Sequence, residues 1–222
     1  MSDETTRAKE AAGRHAAGYV ESGMTVGLGT GSTVHWTIVE LGDRKLDIRC
    51  AATSERTHKL ATELGLAVLP PDELISLDIA IDGADEVDPA FHLIKGGGGA
   101  HLREKIVAGM AARFVVVVDG SKVVPSLGDF GLPLEVLPFA PAVVEKGLEA
   151  LGARAVTWRE ARSDSGNLLA DADFGRISDP PALAASLAAL PGVLEHGLFL
   201  GDTVERVVVA GAGGVTELER QA

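Results

Sequence analysis

Cysteine is nearly missing from this chain. A single one, Cys50, stands among 222 residues. That excludes an internal disulfide and any cysteine-built zinc cluster, and it fits a reducing compartment. Basic charge is scarce as well: 20 Lys and Arg stand against 32 Asp and Glu, for a net charge of −12. Such a chain has no general attraction to nucleic acid or to an anionic membrane, so neither is an expected partner. If it binds an anion, the site must be built locally. Long apolar runs are lacking too. None approaches the ~20 residues of a membrane helix, and the longest candidate, 114–118, is strand-sized. The first residues, Met-Ser-Asp-Glu-Thr-Thr-Arg, show neither the basic start nor the apolar stretch of an export signal. The expectation is a cytoplasmic protein. With 46% hydrophobic and 23% charged residues, the composition is that of a globular chain with one large or two small domains.

Ala8, Ala12, His15, Ala16 and Tyr19 recur at helical spacing and predict a first helix over 3–21, stopped at Gly23. Strands are expected at 24–28, 48–53, 67–69, 77–81 and 114–118. Helices are expected at 33–41, 55–64 and 101–112, with Ser32 as N-cap of the first of these. The alternation predicts an α/β fold: a mostly parallel, Rossmann-like sheet flanked by helices. Near residue 129 the pattern changes. Strands at 133–137, 153–158, 167–173 and 193–200, with helices at 141–151 and 180–190, give the order βαββαβ of a split βαβ module. A last strand at 205–210 returns to the first sheet. The expected organisation is a catalytic α/β domain of residues 1–129 plus 202–222, with a smaller ferredoxin-like α+β domain, 130–201, inserted.

Four segments carry candidate chemistry. Gly27-Leu28-Gly29-Thr30-Gly31-Ser32-Thr33 joins a strand to a helix. Glycines admit an anion to the backbone, and the helix start offers N–H groups. Position 32 is Ser, so the G-x-G-x-x-G dinucleotide pattern fails, and no Gly-Lys-Ser/Thr completes a P-loop. The plain alternative is a tight strand-to-helix turn. Ile81-Asp82-Gly83-Ala84-Asp85-Glu86 ends a buried strand with acids where open α/β sheets bind ligands. It fits a hydroxylated ligand, a hard cation or a solvated Asp-Gly turn. Lys95-Gly96-Gly97-Gly98-Gly99 precedes a helix whose first turn or so carries Glu104. Four consecutive glycines are costly in entropy and so need a reason, such as donors wrapped around an anion. Read singly, Lys95 is a surface lysine and Glu104 an acid favoured by the helix dipole. Asp119-Gly120-Ser121-Lys122 follows the 114–118 strand and brings Lys122 to the same edge of the sheet. His35, His58, His92, His101 and His196 show no ligand spacing.

A phosphate cradle, two acids, a lysine and a further glutamate, without a nucleotide or metal motif, suit proton abstraction beside a carbonyl. A phosphorylated sugar offers both the phosphate and the acidic C–H. A sugar-phosphate sensor and a glutamate-using coenzyme A transferase are the alternatives from other classes. The sensor would need an output module that the motifs do not supply.

In order, spacing and letters, Gly29-Thr30-Gly31-Ser32-Thr33, Asp82-Gly83-Ala84-Asp85-Glu86, Lys95-Gly96-Gly97-Gly98 with Arg103-Glu104-Lys105, and Asp119-Gly120-Ser121-Lys122 resemble type A ribose-5-phosphate isomerase. Pro133–Pro138 and Pro191-Gly192-Val193 with Gly197-Leu198-Phe199 extend the likeness through nearly the whole chain. Gly99 and His101 stand where Ala or Leu is more usual in that family. The resemblance implies interconversion of ribose 5-phosphate and ribulose 5-phosphate in the non-oxidative pentose phosphate pathway, with no metal and no organic cofactor. It implies that Glu104 moves a proton between C2 and C1 through an enediolate. It further implies that Asp82, Asp85 and Lys95 assist catalysis, and that Thr30, Gly31, Ser32, Thr33, Asp82, Gly83, Ala84, Asp85, Lys95, Gly96, Gly97, Gly98 and Lys122 bind substrate. A homodimer or homotetramer is implied as well.

Overall fold

A computed structural model describes residues 3–211 and 213–220. The reading of the first two residues lies outside it. In chain order the elements are α1 (Asp3–Ala17), β1 (Thr25–Leu28), α2 (Val34–Arg44), β2 (Arg49–Ala52), α3 (Glu55–Glu63), β3 (Ala67–Val68), β4 (Ile79–Asp82), β5 (Glu86–Val87) and β6 (Leu93–Ile94). There follow α4 (His101–Met110), β7 (Phe114–Asp119), β8 (Leu132–Val136), α5 (Pro141–Ala150), β9 (Ala155–Arg162), β10 (Leu168–Asp173), α6 (Pro180–Ala188), β11 (Val193–His196), β12 (Leu198–Phe199), β13 (Arg206–Gly211) and β14 (Gly214–Glu219). Among the described residues no helix is long and apolar enough to cross a membrane.

Residue contacts group the chain into two units. The first comprises Met1–Ala84, Arg103–Val123 and Asp202–Ala222; the second comprises Asp85–Leu102 and Val124–Gly201. The sequence reading kept 85–102 and 124–129 with the first. In the structure β6 pairs with β12 and with β5. The Glu86 carboxylate accepts the Gly128 and Phe130 N–H groups at 2.7 and 2.6 Å, which ties these segments to one another.

The first unit is built on a seven-stranded sheet of order β14-β13-β7-β4-β1-β2-β3. Every neighbouring pair is parallel except the β13–β14 hairpin. β1, β4 and β7 are buried along their whole length. This is why they read as continuous apolar runs rather than alternating ones. Val26, Leu28, Ile79, Ile81, Val115 and Val117 form the core with Ala12 and Ala16 of α1 and Ile38 and Leu41 of α2. Truncating one such leucine or isoleucine to alanine costs about 2–5 kcal/mol. α1 and α2 cross closely at Gly13, where an added Cβ would lie 2.5 Å from the Thr33 carbonyl oxygen. From β1 the chain moves outward to β2 and β3, then returns to place β4 on the other side of β1. The carboxyl ends of β1 and β4 therefore flank a topological switch point, the place where open α/β sheets leave a crevice for ligands.

The second unit carries a four-stranded antiparallel sheet of order β11-β8-β10-β9. With α5 and α6 it has the order and sense of a split βαβ fold. Leu132, Leu134 and Val136 point to one face and pack there with Val144 and Leu148 of α5 and Ala184 and Leu187 of α6. The strand expected over 193–200 is two strands. β11 joins this sheet, and β12 joins a ribbon of order β12-β6-β5. Gly197 lies between them, and a Cβ there would overlap the Lys95 carbonyl.

Candidate active site

The switch point of the first unit is held by backbone contacts. The Gly29 N–H donates to the Ile81 carbonyl at 3.0 Å. Asp82 Oδ1 accepts the Thr30 N–H at 3.0 Å and the Gly83 N–H at 2.7 Å. The Asp82 carboxylate lies so close under Gly29 that any side chain at that position would overlap it. The glycine of the first motif is therefore a requirement of close packing between two strand ends.

Thr30 turns its hydroxyl into a polar cluster. Its Oγ1 lies 2.8 Å from Thr53 Oγ1, 2.7 Å from Ser54 Oγ and 3.0 Å from Thr57 Oγ1. Thr57 Oγ1 donates to the Gly29 carbonyl at 2.9 Å. Thr53, Ser54 and Thr57 are buried, and none of the four candidate segments includes them. Parallel pairing of Leu28 with Ala52 brings the two strand exits side by side.

Ser32 is not the N-cap of α2. That position is held by Thr33, in helical conformation and without a side-chain cap bond. Ser32 Oγ instead accepts from Lys9 Nζ at 2.9 Å. The helices α3 and α6 are capped by Ser54 and Asp179. The N-terminus of α2 thus keeps N–H groups with no side-chain cap, as an anion site requires. A cleft of about 300 Å³ opens beside it, lined by Gly31, Ser32, His35 and Arg56 among others.

Glu104 lies in the first turn of α4 and is 3% exposed. Asp82 is also 3% exposed. The two stand around one narrow gap in the packing, too small for a water molecule, with Gly29, Thr53, Ala80 and Val107 among its other neighbours. Gly83 and Ala84 follow Asp82, half-buried. Lys122 is half-buried in the single 3₁₀ turn Gly120–Lys122, which Asp119 caps by accepting the Ser121 N–H.

The second unit gathers the remaining candidates. Lys95 is 2% exposed, and its Nζ lies 5.3 Å from the centroid of the Phe199 ring. Its backbone N–H donates to the Gly197 carbonyl at 2.8 Å. Gly96 has φ +107°, and a Cβ there would lie 2.6 Å from Nδ1 of the buried His101. Asp85 Oδ2 accepts the Gly97 N–H at 2.8 Å. Gly97 and Gly98 are exposed. His92 Nδ1 accepts the Gly201 N–H, a structural use. Among the described residues no group of three or more His, Cys, Asp or Glu is arranged to hold a metal ion.

Known proteins share this sequence and this fold. The family model of ribose 5-phosphate isomerase A (phosphoriboisomerase A) matches residues 49–214. The chain is 48% identical to ribose-5-phosphate isomerase A of Roseiflexus sp. (strain RS-1), over 95% of this chain and 94% of that one. It is 47% identical to the enzyme of Thermomicrobium roseum, over 97% and 95%. The structure superposes on ribose 5-phosphate isomerase A of Neisseria gonorrhoeae with a TM-score of 0.95 at 33% identity, covering 98% of each chain. Against the Methanocaldococcus jannaschii protein the TM-score is 0.91 at 38% identity, covering 96% of this chain and 99% of that one. A further solved D-ribose-5-phosphate isomerase, 36% identical with a TM-score of 0.94 and covering 99% of this chain and all of that one, is in complex with phospho-erythronic acid. The chain belongs to the ribose 5-phosphate isomerase A family.

Proposed function

We propose that this isomerase interconverts D-ribose 5-phosphate and D-ribulose 5-phosphate by proton transfer, with the Glu104 carboxylate as the base. Asp82 assists opening of the furanose ring: the O1–H proton leaves, the C1–O4 bond breaks and O4 is protonated. Glu104 then takes the proton from C2, the C1 carbonyl becomes the oxygen of an enediolate, the O2 proton passes to O1, and the same proton or a solvent proton is returned from Glu104 to C1 as the C2 carbonyl forms. Lys95 and the Gly98 amide carry the charge that develops on the oxygens. Each donor aimed at such an oxyanion is worth about 3–4 kcal/mol. Thr30, Gly31, Ser32 and Thr33 bind the phosphate or adjoining hydroxyls at the uncapped start of α2. Gly83, Ala84 and Asp85 line the sugar, and Lys122 is a further contact.

The observation that carries this reading is that two buried carboxylates, Asp82 and Glu104, stand around one narrow gap in the packing at the sheet's switch point. The ligand of the solved relative supports it: the carboxylate of phospho-erythronic acid offers two coplanar oxygens, as an enediolate does, at a distance from a phosphate. The test is ribose 5-phosphate with metal-stripped protein in deuterium oxide. Ribulose 5-phosphate should form, with solvent deuterium entering at C1 of the ketose. Strict dependence on an added metal, or turnover of an acyl-coenzyme A instead, contradicts the reading. We further propose a cytoplasmic place in the non-oxidative pentose phosphate pathway. The single cysteine, Cys50, a free thiol, fits a reducing compartment. A homodimer or homotetramer is the proposed assembly, to be read by light scattering.

A further inference from the structure

We infer that Arg159 is a positioning residue of this isomerase: locked by Asp171, it fixes the peptide planes of the Gly96–Gly98 loop so that the Gly98 amide presents its donor in one orientation. Arg159 stands on β9 and Asp171 on the neighbouring β10. The pair is bidentate, Nε to Oδ2 at 2.8 Å and Nη2 to Oδ1 at 2.5 Å. That fork leaves Nη1 facing the loop. It donates to the Gly96 carbonyl at 2.9 Å and reaches the Gly97 carbonyl at 3.3 Å.

The Gly96 carbonyl and the Gly97 N–H belong to one planar peptide. Arg159 holds its oxygen, and Asp85 Oδ2 holds its N–H at 2.8 Å from the other side. The Gly96 carbonyl also accepts the Gly99 N–H at 2.9 Å, which closes the turn. A glycine peptide flips at little steric cost, so an unsecured run of four glycines would sample several orientations. Here the first plane cannot turn without breaking bonds at both ends. In the next peptide the Gly97 carbonyl leans on Arg159. The trans geometry therefore sends the Gly98 N–H to the opposite side, away from the guanidinium. An exposed loop of small residues thereby acquires, at Gly98, a fixed donor of the kind that oxyanion stabilisation needs. Lysine could not replace arginine, since one ammonium cannot fork onto Asp171 and still reach two carbonyls. The inference rests on the proposed role of this loop in holding the enediolate.

The test is steady-state kinetics on ribose 5-phosphate for the wild type, Arg159→Met and Arg159→Lys, with thermal melts and amide exchange. Both variants should lose about tenfold to a hundredfold in kcat while KM stays within about threefold. Millimolar guanidinium should restore part of the Arg159→Met rate, and the Gly97 amide should exchange faster. A kcat within about twofold of wild type in a folded Arg159→Met protein, or a loss matched by the unfolded fraction, overturns the inference. If Arg159→Met does not fold, Asp171→Asn carries the same test: kcat should fall with KM unchanged, and an unaltered kcat overturns it. Should the wild type itself not turn over ribose 5-phosphate, the loop's proposed function fails instead. The exchange rate of the Gly97 amide then still decides whether Arg159 fixes the loop.

Discussion

The Thr30 N–H donates to the Asp82 carboxylate at 3.0 Å, across the exits of two adjacent parallel strands. One contact thus links the first glycine motif to the first acidic motif, 52 residues away. It also explains the glycine at position 29, because the carboxylate occupies the space that a side chain there would need. The proposed binding end and one of the proposed catalytic acids are parts of a single backbone junction.

Gly29→Ala therefore tests the junction. The methyl group would push Asp82 out of place. Over-packing of this kind costs about 1–3 kcal/mol. Turnover should fall at least about a hundredfold, since a displacement of ~1 Å is enough for that loss. Kinetics and a urea titration check both, and near-native activity would show that Asp82 is free to move without consequence.

Gly197→Ala reaches Lys95 from the rear. An added Cβ would overlap the Lys95 carbonyl, and the Lys95 N–H bonds to the Gly197 carbonyl. The β11–β12 break should be displaced, with Tm lower by about 4–8 °C per kcal/mol at small-domain size, and by less for a chain of this length. The kcat should fall more than KM rises. A variant with native melting and native kcat would detach this backbone contact from the function of Lys95.

Lys95→Ala separates binding from rate. If the ammonium holds developing oxyanion charge, kcat should drop by about 10²–10³ with a smaller change in KM. A pure KM effect would make Lys95 a ground-state binder only.

Acid stability has a distinct source. The Tyr19 hydroxyl, then His15 and Arg206, hold the Glu217 carboxyl down at about 2 against an ordinary 4.5. A depressed carboxyl stabilises the fold above the unfolded value and ceases to do so as pH falls through the folded one. Glu217→Gln should thus lower the melting temperature at pH 7, with the gap to wild type closing between pH 4.5 and 2. Melting curves across that window check it. The side chain is 30% exposed, so salt should narrow the gap.

Much of this architecture is legible in the residues because glycines and β-branched runs announce strong backbone constraints. The buried run of β7 marks a central parallel strand, and Gly29, Gly96 and Gly97 each mark a place where backbone meets a side chain closely. The two-residue strands β5, β6 and β12 are too short to show a period. β14 is visible only as the partner of β13. The hydroxyl cluster around Thr30 was hidden for another reason: Thr53, Ser54 and Thr57 meet it only through the β1–β2 register. Arg159 is an ordinary strand arginine until the chain folds.

The central claim is that Glu104 moves the proton, and Glu104→Gln tests it most directly. The variant keeps shape and burial but cannot accept a proton. Its kcat should fall by about 10²–10⁴, deuterium exchange into the ketose should fall in step, and calorimetric affinity for ribose 5-phosphate should stay within about threefold. A variant that still isomerises and exchanges at the wild-type rate would contradict the account.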